Sequence, residues 1–222
     1  FGAETPQTPR VLKKYDEFGY IEHLPLKGVR KTTAKHMIES VRAIPHVTHM
    51  DEADVTGLVQ LREKEKKKAE KKGIRLTFIP FIIKAIIAAL KNHPYLNASF
   101  DEEHEEIILK KYYNIGFAVD AGGGLFVPVI KGADQKSIID MADEIRRLAM
   151  QVEERTIDLM ELKGGTFTIT NVGSLGGIFA TPIINYPESA ILAVGKIIEK
   201  PVVYRKKITV RSILPLSLAF DH

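Results

Sequence analysis

Two side chains of complementary chemistry stand out: the hydroxyl of Thr170 and the imidazole of His222, the last residue of the 222-residue chain. Thr170 closes the run Thr166-Phe167-Thr168-Ile169-Thr170, which is β-branched and aromatic, alternates, and has glycines on both sides. That pattern predicts a strand over 166–170. Asn171-Val172-Gly173 then breaks into a loop that continues Ser174-Leu175-Gly176-Gly177. A hydroxyl at a strand end beside flexible backbone is where a reacting group can approach closely. His222 follows a second strand-like run, Leu214 to Phe220, as Asp221-His222. We read Thr170 and His222 as an acyl-transfer site.

The elements that must hold these groups can be read in chain order. Residues 1–20, with Pro6 and Pro9 and no clear period, read as a linker or as an arm lying on a neighbour. Ala34, Met37, Ile38 and Val41 recur at helical spacing and predict an amphipathic helix over 30–43, with Thr32 or Thr33 as its cap. Pro45 forces Ile44 into extended backbone, and 46–52 reads as a strand. Asp54 is the expected N-cap of a second helix, with Val55, Leu58, Val59 and Arg62 on one face. It runs to about Lys72 and is ended by Gly73. Thr77 opens a third helix through Lys91, with Pro80 tolerated in its first turn. Its all-round apolarity marks a buried core helix. Its short length and Lys84 argue against a membrane span.

Residues 97–101 and 106–111 read as a hairpin, and 113–120 and 125–131 as two strands around Gly122-Gly123-Gly124. Ser137 and Asp140 form a capping box. The helix they open carries Ile138, Met141, Ala142, Ile145, Leu148, Ala149 and Val152 as one stripe and ends near Thr156, with a short helical piece to Leu162. Strands over 189–199, 202–205 and 208–220 complete the set. This mixture predicts an α/β sandwich built on a large mixed sheet.

Composition excludes several functions. The net charge is +4, and the positive charge is concentrated over 62–72, where Glu63, Glu65 and Glu70 are interspersed. That is a solvated helix face rather than a nucleic-acid surface. The chain has no cysteine, which excludes disulfides and thiolate–metal sites and fits a cytosolic or a thermophilic setting. There is no signal peptide, and the first residue is Phe1, so a larger precursor is expected. The triple glycine at 122–124 lacks the following Lys-Ser/Thr and the helix of a nucleotide loop. His46 and His49 point to opposite faces of a strand, with no carboxylate placed to complete a metal site.

Several collinear motifs resemble the catalytic domain of the dihydrolipoamide acyltransferases of 2-oxoacid dehydrogenase complexes. They are Gly28-Val29-Arg30-Lys31, Ile44-Pro45-His46-Val47-Thr48, Leu96-Asn97-Ala98-Ser99, Asn114 to Asp120, Gly165 to Gly177, Thr181 to Glu188 and Leu214 to His222. The resemblance implies the fold of chloramphenicol acetyltransferase, a two-layer α/β sandwich that trimerises, with 1–20 as an arm and 21–222 as the catalytic domain. It also implies acyl transfer between a dihydrolipoyl-lysine arm and coenzyme A. In that reaction His222 is the general base, and Thr170, standing where the family carries Ser or Thr, is the oxyanion donor. The two would come from different chains.

The family's coenzyme A contacts fall on Arg62, Thr77, Asp120, Asn171, Gly195 and Ile197. Each has an ordinary alternative: Arg62 as a helix-surface charge, Asp120 as a turn residue, Gly195 as a strand bulge. Gly195 suits a ligand contact because a missing side chain lets the ligand near the backbone. The implied partners are a homotrimer assembling into a larger hollow core, lipoyl domains, and the decarboxylase and dihydrolipoamide dehydrogenase subunits, reached through domains absent from this chain. No metal, nucleic acid or membrane partner is implied. The implied setting is the cytoplasm, or the mitochondrial matrix in a eukaryote.

The family signature runs on past Asp-His through Arg to Asp-Gly, whereas this sequence stops at His222. A protein ending there is expected to be weak or inactive, because the imidazole would lack its supporting carboxylate. Two rival readings follow: an assembly scaffold that has lost chemistry, and an antibiotic O-acetyltransferase of the same fold.

Overall fold

The computed structural model describes residues 12–222 apart from Lys72 and Gly123, so the expectations for residues 1–11 and for those two positions lie outside the described residues. Strands β1 (Leu12–Tyr15) and β2 (Tyr20–His23) pair as an antiparallel hairpin where the sequence suggests only a linker. Its turn is closed by Asp16, whose carboxylate accepts hydrogen bonds from the Phe18 and Gly19 amides at 2.9 Å each.

Helix α1 (Gly28–Ala43) starts two residues before the expected 30, and no side chain caps it. Ile44 is extended, as the proline after it requires, and leads into β3 (His46–Asp54). Asp54 is the last residue of β3 and not the N-cap of α2 (Thr56–Glu70), because the strand holds it. Its carboxylate still accepts from the Thr56 amide at 3.0 Å, satisfying one of the helix's free donors. Gly73 follows with φ +70°, the left-handed geometry that ends a helix.

Helix α3 (Ile79–Asn92) buries Phe81, Ile82, Ile83, Ile86, Ile87 and Leu90. The charge in its middle, Lys84, donates to the carbonyls of Ala133 and Asp134 at 3.3 and 3.0 Å, which lets a cation sit on a core helix, while Lys91 lies in its last turn.

Strands β4 (Ala98–Asp101) and β5 (Glu106–Leu109) form the expected hairpin. The next two expected strands are each broken in the middle, giving β6 (Ile115–Phe117), β7 (Val119–Ala121), β8 (Gly124–Phe126) and β9 (Val129–Ile130). β6 and β9 pair in the main sheet, while β7 and β8 pair with each other. The capping box at Ser137 and Asp140 opens α4 (Ile138–Glu153).

The sheet is completed by β10 (Phe167–Asn171), β11 (Ala190–Val194), β12 (Ile198–Tyr204) and β13 (Lys207–Asp221). Its order is β12-β13-β11-β10-β6-β9, with β3 pairing β13 along 46–54. β10 runs parallel to β11 and β6, and the other pairs are antiparallel, so the sheet is mixed.

Alternation along β10 decides what each face does. Phe167 and Ile169 point into a core shared with α3 and with Met141 and Leu148 of α4. Each such side chain contributes roughly 1.5–3 kcal/mol by burial. Thr168 and Thr170 point to the other face, which is covered by the segment around Ile184 and Tyr186 packed on Ile44, Ile191 and Ala219.

Candidate active site and its two halves

The sheet register sets where Thr170 and His222 stand. Thr170 is level with Ala193 on β11, and Ala193 with Ser217 on β13. His222 lies five residues beyond Ser217, at the end where Phe220 faces Ala190. At about 3.3 Å per residue and about 4.8 Å per strand, the two groups are roughly 16 Å apart along the strands and roughly 10 Å across them. Within one chain they occupy opposite ends of the sheet.

At the Thr170 end a cavity of about 320 Å³ opens beside the start of α3. Arg62, Thr77, Asn171, Gly195 and Ile197, five of the sequence-predicted positions, all line it. Asp120 is exposed on β7, three residues past Phe117, which faces Ile169. It therefore stands at the same end of the sheet but is not among the lining residues. Thr170 faces the opposite side of the sheet from Asn171 and does not line the cavity either.

The cavity is cationic. Arg62 is anchored: its Nε–H donates to Leu76 O at 3.1 Å, its guanidinium lies 5.0 Å from the Phe78 ring centroid, and Glu63 pairs with it from outside the lining. Arg75 and Lys196 add two exposed positive charges, and no carboxylate lines the cavity. Sequence reasoning missed both. Arg75 sits two residues before Thr77 and Lys196 between Gly195 and Ile197, and nearness to residues already chosen was the one hint the sequence held.

The glycines here answer to the chain's own packing. A Cβ on Gly195 would lie 2.1 Å from Ile178 O, and one on Gly173 would lie 2.5 Å from the Gly195 carbonyl. Room for a ligand is thus not what excludes a side chain at 195: the carbonyl of Ile178 already fills that space. The Lys196 amide donates to Gly177 O at 2.9 Å and the Gly195 amide to Pro215 O at 2.8 Å. These contacts break the expected 189–199 strand into β11 and β12 and bring Asn171 and 195–197 onto one wall.

At the His222 end, side chains join backbone segments that are themselves bonded to one another. The His222 amide donates to Pro45 O at 3.2 Å, and the Asp221 amide to Ser189 O at 2.9 Å. Asp221 also lines a cavity of about 770 Å³ with Lys35, Arg42, Tyr186 and Glu188. Glu188 is buried, with Thr168 Oγ–H donating to its Oε2 at 2.7 Å and Asn185 Nδ2–H to its Oε1 at 3.1 Å. Burial pushes this carboxyl up to about 7, against the pull of those two hydrogen bonds and of Lys110. His36 Nε2 lies 3.1 Å from Asn185 Oδ1 and continues the network onto α1. His46 has both ring nitrogens occupied by backbone groups, Ile44 O and the Ile184 amide.

A family model described as the 2-oxoacid dehydrogenases acyltransferase catalytic domain matches residues 19–222. The chain belongs to that family. The acetyltransferase component of the pyruvate dehydrogenase complex of Staphylococcus aureus is 46% identical over 221 residues, 99% of this chain and 51% of that protein. The chain thus spans about half the length of this curated relative. Two solved structures, the Azotobacter vinelandii dihydrolipoamide acetyltransferase and the cubic core of a pyruvate dehydrogenase complex, each give a TM-score of 0.89 at 39% identity. They cover 98% of this chain and 89% of theirs. Chloramphenicol acetyltransferase, at 13% identity and a TM-score of 0.50 over 85% of each chain, shares the fold. The acyltransferase family and its chloramphenicol acetyltransferase-like fold are therefore as the sequence motifs implied. Among the described residues no helix is long and apolar enough to cross a membrane.

Proposed function

We propose that this domain moves an acyl group between a dihydrolipoyl-lysine arm and coenzyme A, as the core subunit of a 2-oxoacid dehydrogenase complex. The observation that carries this is the cationic cavity. Separate stretches of chain converge there, and Arg62, Arg75 and Lys196 suit the phosphates of coenzyme A. Asn171 puts the cavity wall one residue from the Thr170 hydroxyl.

In the reaction neutral His222 takes the proton from the attacking thiol. The thiolate adds to the thioester carbonyl, and the Thr170 hydroxyl donates to the resulting oxyanion. Collapse breaks the other carbon–sulfur bond, and the leaving thiolate recovers the proton from the imidazolium. In the Azotobacter vinelandii enzyme a serine, a histidine and an asparagine have been investigated for the catalytic mechanism. A hydroxyl and an imidazole are the same two chemistries here.

The wide separation of Thr170 and His222 within one chain supports a site shared between protomers of a homotrimer, with trimers packing into a hollow core in the cytoplasm. The lipoyl group arrives on a separate domain. The decarboxylase and dihydrolipoamide dehydrogenase subunits attach through parts of the protein outside this stretch.

The test is thioester exchange between acetyl-coenzyme A and dihydrolipoamide by the assembled protein. Thr170→Ala should lose about 2–4 kcal/mol of transition-state stabilisation with coenzyme A binding little changed. His222→Ala should lose roughly 10²–10⁴ in turnover. Co-assembly of the two variants should restore a share of the activity, because some interfaces then hold one intact Thr170 and one intact His222. No recovery in mixed assemblies would sink the shared site, and near-normal turnover of Thr170→Ala would remove the hydroxyl from the mechanism.

A further inference from the structure

His222 is tied to the rest of the chain through its backbone, and the segment that receives it is itself held by one imidazole. The His222 amide donates to Pro45 O at 3.2 Å, and the next residue, His46, stands directly opposite Asp221 in the β3–β13 register. The Ile184 amide lies 2.9 Å from His46 Nε2, and Ile44 O lies 2.9 Å from Nδ1. An amide N–H can only donate, so Nε2 carries the lone pair. The ring proton is therefore on Nδ1 and is donated to Ile44 O. One neutral imidazole thus bridges the strap 44–46 to Ile184, a fully buried residue. Ile184 is immobilised from its other side too, where Ser40 Oγ–H donates to its carbonyl at 2.6 Å. Ile44 and Ile184 pack in the same apolar cluster with Ile191 and Ala219, so the bridge sits over a fixed base.

We propose that His46 is a positioning residue for His222: by bonding Ile184 and Ile44 at once it fixes Pro45 O, the acceptor that sets where the His222 backbone starts. The inference rests on the reading of His222 as the base. His46 touches no substrate in this scheme. It acts through the strap, and misplacing a reacting group by about 1 Å costs on the order of 100-fold in rate.

The two bonds can be removed separately. Asn at 46 can keep a donor for the neighbouring Ile44 carbonyl, whereas Gln can keep an acceptor near the Nε2 position for the Ile184 amide. Only the second bond joins distant segments, so the two replacements should differ.

In the assembled protein, His46→Ala should lower kcat for thioester exchange by about 100-fold, while KM for coenzyme A stays within about two-fold because that cavity is at the other end of the sheet. His46→Gln should recover most of the loss and His46→Asn little of it. Sedimentation and a thermal melt on each variant confirm that assemblies of equal size are compared. Wild-type kcat in His46→Ala overturns the assignment. So do equal kcat values in the Gln and Asn variants, and this second comparison still decides if the Ala variant fails to assemble. A parallel fall of kcat, KM and melting temperature in all three would reduce His46 to a structural residue. His222→Ala, run alongside, separates the two failures. Full activity there removes the base and this inference together. Loss there with full activity in His46→Ala removes only the role of His46.

Discussion

At the Asn171 end of the sheet, main chain meets main chain: Gly173 lies against Gly195, Gly195 against the Ile178 carbonyl, and the charges stand around the rim. At the His222 end, side chains join the backbone segments: His46 holds Ile184, Ser40 holds the same residue, and Glu188 ties Asn185 to Thr168. The first end has no room for an added atom but few ionisable groups buried in it. The second buries an ionisable group, Glu188, inside its side-chain network. Under the proposed function, the ligand-holding half and the proton-handling half depend on different physics, and substitutions should separate them.

The sharpest break of that contrast is Gly195→Ala. The new methyl would fall 2.1 Å from a carbonyl oxygen that cannot swing away like a side chain. We expect a loss of about 3 kcal/mol or more, at the top of the overpacking range, and a collapse of coenzyme A affinity. Denaturant midpoints and a coenzyme A titration would measure the two effects. A variant of wild-type stability would show that the loop and the 195–197 break are not in rigid contact.

Next in size is the pH response of the other end. Glu188 titrates near 4.5 in an unfolded chain and at about 7 in the fold, so the folded state holds its proton more tightly. That contribution is complete below pH 4.5 and is lost as the pH rises through 7, by about 3 kcal/mol in all. Glu188→Gln keeps the neutral shape and should flatten this decline, leaving the variant more stable than wild type at pH 8. Denaturation at pH 5, 6.5 and 8 would follow it. Parallel curves for the two proteins would mean that Glu188 does not carry the effect.

The smallest expected effect sharpens the comparison. Lys196→Met should weaken coenzyme A binding by about 1 kcal/mol, since an exposed cation contributes only modestly, and the loss should shrink at high salt. Turnover at saturating coenzyme A should not change. An altered kcat would mean that the two ends are coupled.

Much of this was legible in the sequence, and for stated reasons. Apolar period and punctuation located the helices: Pro80, Gly73 and the Ser137–Asp140 box all mark real ends. Strand breaks were not legible. The interruptions at 118, 127–128 and 195–197 arise from tertiary contacts, such as the Ala118 amide donating to Ile169 O at 2.9 Å, which no local pattern encodes. The hairpin over 12–23 was missed because two four-residue strands carry too little alternation to be read from period alone. The cavity residues Arg62, Thr77, Asn171, Gly195 and Ile197 were chosen by resemblance, and the fold brings them together. Arg75 and Lys196 needed the coordinates, because a lone cation in a loop looks the same whether it faces solvent or a cleft. His46 was read as a strand residue within a family-like motif and as a failed metal ligand, with no role in holding the site. Its bridging role depends on Ile184, 138 positions away.

Where Gly173 lies against Gly195, and Lys196 is bonded through its amide to Gly177, the backbone beneath the cavity is fixed by main-chain contacts. That part of the wall has no rotamers of its own to freeze when a ligand arrives, so the ordering cost on the protein side is confined to rim side chains such as Arg75 and Lys196.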